Sequence, residues 1–381
     1  MKVNLNTVKQ ALNSAVAQVL TGLLCAAVLI ALLAAMLLGG KTKAAGSGES
    51  ADEALIDRYN MYMTNRISDT LAGVLDVEKV YWLKDEDTIA PEPDPNKFGT
   101  TSDPSTLQWF LDDAQRLLKG DKTAFSLDTP LQNGSEVIYY LDETIMCITW
   151  KRPIGSAMYT FSEVKIAHPS QFRRFFADGQ FGSERQYYAT EMAAAVNAVT
   201  ASNGDFYKYR PLGIVVYNGQ VCRADNRVDT CFIDDQGELL FARAGQINAW
   251  DEAQRFVDEN NIRFSLAFGP VLIENGENVV PERYLLGEIN GAYSRAAIAQ
   301  LGQLHYLMVV TGYEDTFRYM PGSRQFADVL VSMGVEKAYS LDGGQTGVIV
   351  TNDKLINRPN YGFQRTVSDI IYFATAVPDG G

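Results

Sequence analysis

Two hydrophobic periods alternate along this chain, and the strand-like one prevails from residue 136 onward. Val137-Ile138-Tyr139-Tyr140-Leu141 and the run 144–150 are rich in β-branched and aromatic residues. Asp142-Glu143 lies between them, which predicts a hairpin. Tyr159, Phe161, Val164 and Ile166 mark a strand over 159–167, and 198–201 reads as a strand that ends at Asn203-Gly204-Asp205. The runs 213–217 and 220–223 meet across Asn218-Gly219, a pair that accepts positive φ and so favours a tight hairpin. A strand over 263–273 is interrupted at Gly269-Pro270, where the backbone must bend. Further strands are predicted over 304–310, over 337–341, over 349–350 paired with 355–356, and over 370–374.

Helical spacing appears over 105–119, between Pro104 and Gly120, and over 190–197. It returns over 248–260, with Trp250, Ala253, Phe256 and Val257 on one face. A last helix carries Phe326, Val329, Leu330 and Met333 up to Gly334. Pro169 opens a short helix through Phe176, and prolines 91, 93, 95 and 104 make 90–104 an exposed loop. Strands outnumber helices and are joined mostly by hairpins. The predicted fold class is therefore α+β, with mixed or antiparallel sheets and intercalated helices rather than a doubly wound sheet.

The N-terminal part has a different organisation. The run 15–38 carries no charge and exceeds the roughly 20 residues a helix needs to cross a bilayer. Its length fits a signal anchor better than a cleaved signal peptide, whose apolar region spans about 7–15 residues. The expected order is a cytoplasmic tail (1–14), a transmembrane anchor (15–38), a linker (39–52), a helical accessory or stalk region (53–135) and a main domain (136–381). The main domain is then extracytoplasmic, and the membrane is a partner through the N-terminal helix.

A formal net charge of −13 argues against nucleic acid as a partner. Of the four cysteines, Cys25 lies in the apolar run and Cys147 has no evident mate. The spacing leaves open whether Cys222 and Cys231 bridge across a polar loop. Two histidines, His168 and His305, and no clustered cysteines leave no metal set. No cofactor is required, although a divalent cation bridging a carboxylate and a phosphate stays open. The chain has neither a dinucleotide fingerprint nor a Walker loop, which leaves nucleotide binding unsupported.

Two stretches carry the candidate chemistry. Leu341-Asp342-Gly343-Gly344 puts a carboxylate at a strand end beside glycines that let a ligand approach the backbone. Asn203-Gly204-Asp205 repeats that arrangement. The competing reading of each is a turn whose Asp satisfies its own amides.

Taken in order, Asn203-Gly204-Asp205-Phe206-Tyr207, Phe268-Gly269-Pro270-Val271-Leu272, Ser294-Arg295-Ala296-Ala297-Ile298, Leu341-Asp342-Gly343-Gly344 and Asn357-Arg358-Pro359 with Arg365 resemble the phosphodiester glycosidase family, including its exopolysaccharide-associated bacterial branch. The chain departs from the family pattern at Ala296, at 311–313 and after Gly344. The resemblance implies a hydrolase that cleaves the glycosidic C–O bond of a sugar-1-phosphodiester, with a carbohydrate or sugar-phosphate substrate. It implies Asp205 and Asp342 as catalytic carboxylates. Asn203, Gly204, Arg210, Arg295, Gly343, Gly344, Thr346, Asn357 and Arg365 then serve substrate and phosphate binding. Two alternatives are a glycan-binding envelope protein that keeps the cleft without chemistry, and a glycosidase acting on sugars without phosphate.

Overall fold

The computed structural model describes residues 89–118, 123–127, 136–285, 291, 293–312 and 319–376. The expected tail, anchor and linker lie outside these residues, as do residues 53–88 of the expected accessory region. Among the described residues, no helix is long and apolar enough to cross a membrane.

In chain order the elements begin with β1 (Phe98–Thr101), α1 (Pro104–Leu118), β2 (Val137–Leu141), β3 (Ile145–Ile154), β4 (Ala157–Ile166) and β5 (Phe172–Phe176). The middle of the chain forms α2 (Ala189–Ala195), β6 (Ala198–Asn203), β7 (Gly213–Tyr217), β8 (Gln220–Asp225), β9 (Thr230–Asp234), β10 (Leu239–Ala242), α3 (Trp250–Glu259) and β11 (Ile262–Leu266). It closes with β12 (Val271–Glu274), β13 (Glu277–Asn278), β14 (Ala296–Gly302), β15 (His305–Gly312), α4 (Ser323–Ser332), β16 (Lys337–Leu341), β17 (Ile349–Thr351), β18 (Lys354–Leu355) and β19 (Asp369–Ala374).

A nine-stranded sheet runs β1-β2-β3-β4-β15-β14-β16-β12-β13, and a five-stranded sheet runs β18-β17-β6-β19-β5. Smaller sheets join β10-β9-β11 and β7-β8. Every pairing within them is antiparallel, for example Ala296 opposite Leu341 and Ile371 opposite Arg174. The α+β expectation therefore stands, with antiparallel rather than mixed sheets among the described strands.

The large sheet is buried on both faces, which explains its near-continuous apolar runs. On β3, Met146, Ile148 and Trp150 enter one core with Leu107 and Phe110 of α1 and Phe326 and Leu330 of α4. The alternate residues, Ile145 and Cys147, face a second core. There they meet Val199, Ile349, Ile371 and Phe373 of the five-stranded sheet, and Phe264 and Leu266 of β11. Stacking the two sheets in this way brings the ends of β6 and β16 together, and the site is built there.

Several expectations are corrected. Residues 172–176 form β5, not a helix. All five are buried and pair with β19, so sheet pairing overrides the helix start at Pro169. The proline-rich stretch contains β1, an edge strand on β2 that begins after the last proline of the 91–95 cluster. Strands β9 and β10 flank the Asp234-to-Gly237 turn, of which only the turn is predicted. Trp250 is exposed, while Ala253 and Val257 carry the buried face of α3. Cys222 and Cys231 are both free thiols.

Candidate functional site

Beneath the strand ends lies a buried ion cluster that begins with Arg174 in the middle of β5. Its side chain is wholly out of solvent, with Nη2 2.9 Å from Asp205 Oδ2 and 2.8 Å from Asp369 Oδ2. Nε donates to Asp369 Oδ2 at 3.0 Å, Nη1 donates to the Ser265 carbonyl, and the guanidinium lies 4.3 Å from the Phe176 ring centre. Asp205 is saturated by its surroundings. Its Oδ1 accepts the Tyr207 N–H at 2.8 Å, and Oδ2 accepts the Ala267 N–H at 2.7 Å. A buried charge needs this degree of pairing to be tolerated.

One guanidinium between two carboxylates leaves one negative charge over. Burial pushes the Asp369 carboxyl up to about 7; Arg174 opposes that rise and Asp205 adds to it. Burial disfavours the Arg174 charge, but Asp205 and Asp369 outweigh it, and the arginine pKa is raised. Gly204 is required at this point because a Cβ would collide with the Asp369 carboxylate.

Asp342 has a different setting. It follows β16 directly and is half-buried rather than enclosed. Its N–H donates to the Gly204 carbonyl at 3.3 Å, and its carbonyl accepts Asn203 Nδ2 at 2.5 Å. Asn203 also accepts the Val348 N–H at 3.1 Å, so this buried amide sutures the ends of the two sheets. The turn then doubles back, with the Gly344 N–H on the Ser294 carbonyl at 2.9 Å. A Cβ on Gly343 would strike that same carbonyl, and Gly344 has φ +64°. The Thr346 hydroxyl lies 2.6 Å from Asp342 Oδ2 and 2.6 Å from the Gly343 carbonyl oxygen, two acceptors for one proton.

These elements meet at a cleft lined by Gln186, Asn203, Asp205, Phe206, Tyr209, Asp342, Thr346, Arg365 and residues 366–368. Arg365 is exposed, and its guanidinium sits 5.5 Å from the Phe206 ring centre and 5.7 Å from that of Tyr209. Arg210 lies against the same ledge, 5.5 Å from Phe206 and 4.7 Å from Phe268. Arg295 is directed elsewhere. It is buried, with Nε on the Pro321 carbonyl at 3.1 Å and Nη2 on the Gly291 carbonyl. Asn357 is also buried, bracing Ile349 N–H and the Gly347 carbonyl at 2.8 and 2.9 Å.

The predicted residues thus divide by position. Asp342, Thr346 and Arg365 share the cleft with Phe206 and Tyr209. Asn203, Gly204, Gly343, Gly344 and Asn357 shape its backbone, and Asp205 adds to its lining while its carboxylate is held by Arg174. Arg174, Asp369, Gln186 and Tyr209 are absent from the sequence prediction. Two adjacent arginines inside the apolar run Phe172-Arg173-Arg174-Phe175-Phe176 are the signal that points to the buried cluster. Two roomier hollows, one beside Trp109 and Tyr139 and one beside Tyr159 and Met320, hold none of the predicted site residues. Among the described residues, no group of three or more His, Cys, Asp or Glu side chains is arranged to hold a metal ion.

Residues 194–374 match the family model described as phosphodiester glycosidase. The fold is similar to that of the catalytic domain of zebrafish N-acetylglucosamine-1-phosphodiester alpha-N-acetylglucosaminidase, with TM-score 0.50 and 16% identity over 61% of this chain and 83% of that one. A Synechocystis protein also resembles it, with TM-score 0.49 and 16% identity over 60% of this chain. The present chain spans 62% of the length of that protein. No curated protein matches the sequence.

Proposed function

We propose that this protein is a phosphodiester glycosidase that hydrolyses the bond between the anomeric carbon and the phosphate oxygen of a sugar-1-phosphodiester. The observation that carries the reading is the pairing of Asp342 and Arg365 in one cleft, delivered by two separate loops. A phosphodiester leaves as a stable anion, so the site needs little acid assistance. It needs a cation for the phosphate and a carboxylate near the carbon that becomes oxocarbenium-like. Arg365 supplies the first and Asp342 the second.

In this reading Asp205 is a positioning residue. Its oxygens are occupied by Arg174 and two backbone N–H groups, and it fixes the turn that presents Phe206 and Tyr209. The domain acts outside the cytoplasm on cell-surface or exopolysaccharide glycans, tethered by the apolar run 15–38. The charge-free run in the sequence supports the tether. A second reading, a glycan-binding protein without turnover, draws on Asp205, whose carboxylate is held by Arg174 and so leaves Asp342 as the acid presented to the cleft.

Hydrolysis of a sugar-1-phosphate methyl diester in ¹⁸O-labelled water tests the proposal. Label in the anomeric hydroxyl, with methyl phosphate as co-product, is the expected result. Label in phosphate, with sugar-1-phosphate released, makes the protein a phosphodiesterase. Binding without any product favours the second reading.

A further inference from the structure

The hollow beside Trp109 and Tyr139 lies outside the residues that match the family, and its volume of about 400 Å³ is that of a small-ligand pocket. Its walls come from the start of β1, the middle of α1 and the hairpin turn after β2. In the nine-stranded sheet four strands separate β2 from β16, which at ordinary strand spacing is roughly 24 Å. The hollow is therefore distinct from the cleft that holds Asp342.

Its apolar wall is aromatic and set in advance. Trp109 is 58% exposed, although the same helix buries Leu107, Phe110 and Ala114. A Cβ on Gly99 would strike the Tyr139 ring, so glycine is what lets that ring cross β1 at close range. Phe110 backs the ring, with centres 5.1 Å apart. A wall held in this way costs little to order when a ligand arrives.

The charges around the hollow cancel. Asp142 is spent inside the fold. Its Oδ1 accepts the Thr144 and Ile145 N–H groups at 2.7 and 2.9 Å, and its Oδ2 accepts the Tyr140 hydroxyl at 2.9 Å. Asp113 pairs with Arg116 of the same helix. Among the charged side chains that line the hollow, Lys97 and Glu143 remain, both exposed and of opposite sign. An ion gains no net attraction from such a rim. A wholly apolar ligand would strip water from these groups and give no hydrogen bond in return. A neutral pyranose suits both halves, because its C–H face packs on an indole while its hydroxyls donate to Glu143 and accept from Lys97.

We propose that this hollow is a second carbohydrate site, which holds one neutral sugar unit of a glycan and takes no part in bond cleavage. It stands whether or not the cleft turns over a substrate. A glycan long enough to reach both places is presented to the cleft at a raised effective concentration once its far unit is held.

Calorimetry on the full chain with maltopentaose, cellotetraose and N-acetylchitotetraose, each up to about 5 mM, tests the proposal. At least one is expected to bind. Trp109→Ala should weaken that binding about tenfold or more, as loss of an aromatic anchor does, whereas Asp342→Asn should leave it intact. Glu143→Gln, on an exposed turn, should weaken it without moving the melting temperature. Absence of binding by all three sugars overturns the proposal, and so does equal binding in Trp109→Ala and Glu143→Gln. Tighter binding of tetragalacturonate or tetramethylammonium than of any neutral sugar overturns the balanced rim. The labelled-water assay reads the cleft alone, so either site can fail without the other.

Discussion

Arg174 Nη2 lies 2.9 Å from Asp205 Oδ2, and both side chains are wholly excluded from solvent. The carboxylate that looks equivalent to Asp342 in the sequence is thereby committed to the interior, and a third group, Asp369, shares its cation at 2.8 Å. This cluster joins β5, β19 and the loop after β6 directly beneath the cleft.

The cluster makes stability depend on pH in a defined direction. The Asp369 carboxyl, ordinarily near 3.8, titrates near 7 in the fold. Between those values the folded state keeps a proton that the unfolded chain has lost. The contribution is thus full below about pH 4, declines as pH rises, and levels off above about 7. Asp369→Asn mimics the protonated form, so its melting temperature should lose this decline between pH 4.5 and 7.5. A wild-type slope in the variant would remove Asp369 as the cause.

Replacing the shared cation is expected to be far more damaging. Arg174→Met leaves two buried carboxylates without their cation, a change that costs about 3–5 kcal/mol where one member of a buried pair is removed. Urea denaturation at pH 7.5 should show that loss, with partial recovery at pH 5 as Asp369 protonates. Stability within about 1 kcal/mol of wild type would mean that water or another group neutralises the site.

Asp342→Asn should separate chemistry from folding. The side chain is half-buried at a loop, and the backbone bonds that hold the loop come from Asn203, Gly204 and Ser294. Turnover of a sugar-1-phosphodiester is expected to vanish while the melting temperature stays put. Thr346→Val, which removes the hydroxyl donor 2.6 Å from Asp342 Oδ2, should lower kcat about tenfold. Retained turnover in Asp342→Asn would remove this carboxylate from the mechanism.

The Asp342 turn is also sterically closed. Gly343→Ala sets a methyl group against the Ser294 carbonyl, a backbone atom that cannot rotate away. A loss of about 1–3 kcal/mol in equilibrium unfolding, together with loss of turnover, is expected. Gly344→Ala meets open space but must hold φ +64°, so its cost should be smaller, about 1 kcal/mol. Equal effects of the two substitutions would contradict the close approach at Gly343.

The strand 337–341, the hairpin at Asn218-Gly219 and the turn after Leu341 were all legible in the sequence because each depends on neighbours in the chain: alternating apolar residues, or a residue pair that tolerates positive φ. So was the candidate status of Asp342. The strand 172–176 was not, because its Phe and Arg residues fit either period, and only pairing with β19 selects the extended form. The same limit applies to the charges. Arg174, Arg295 and Arg365 look alike as residues, and Asp205 and Asp342 sit in near-identical sequence contexts. The sequence determined the α+β class, the glycine-flanked strand ends and the residue types available there. The tertiary structure decided that Arg174 neutralises Asp205 in the interior, that Arg295 braces main chain, and that Arg365 shares the cleft with Asp342. Those outcomes depend on which groups lose water and which partners they find, and strands distant in sequence set both.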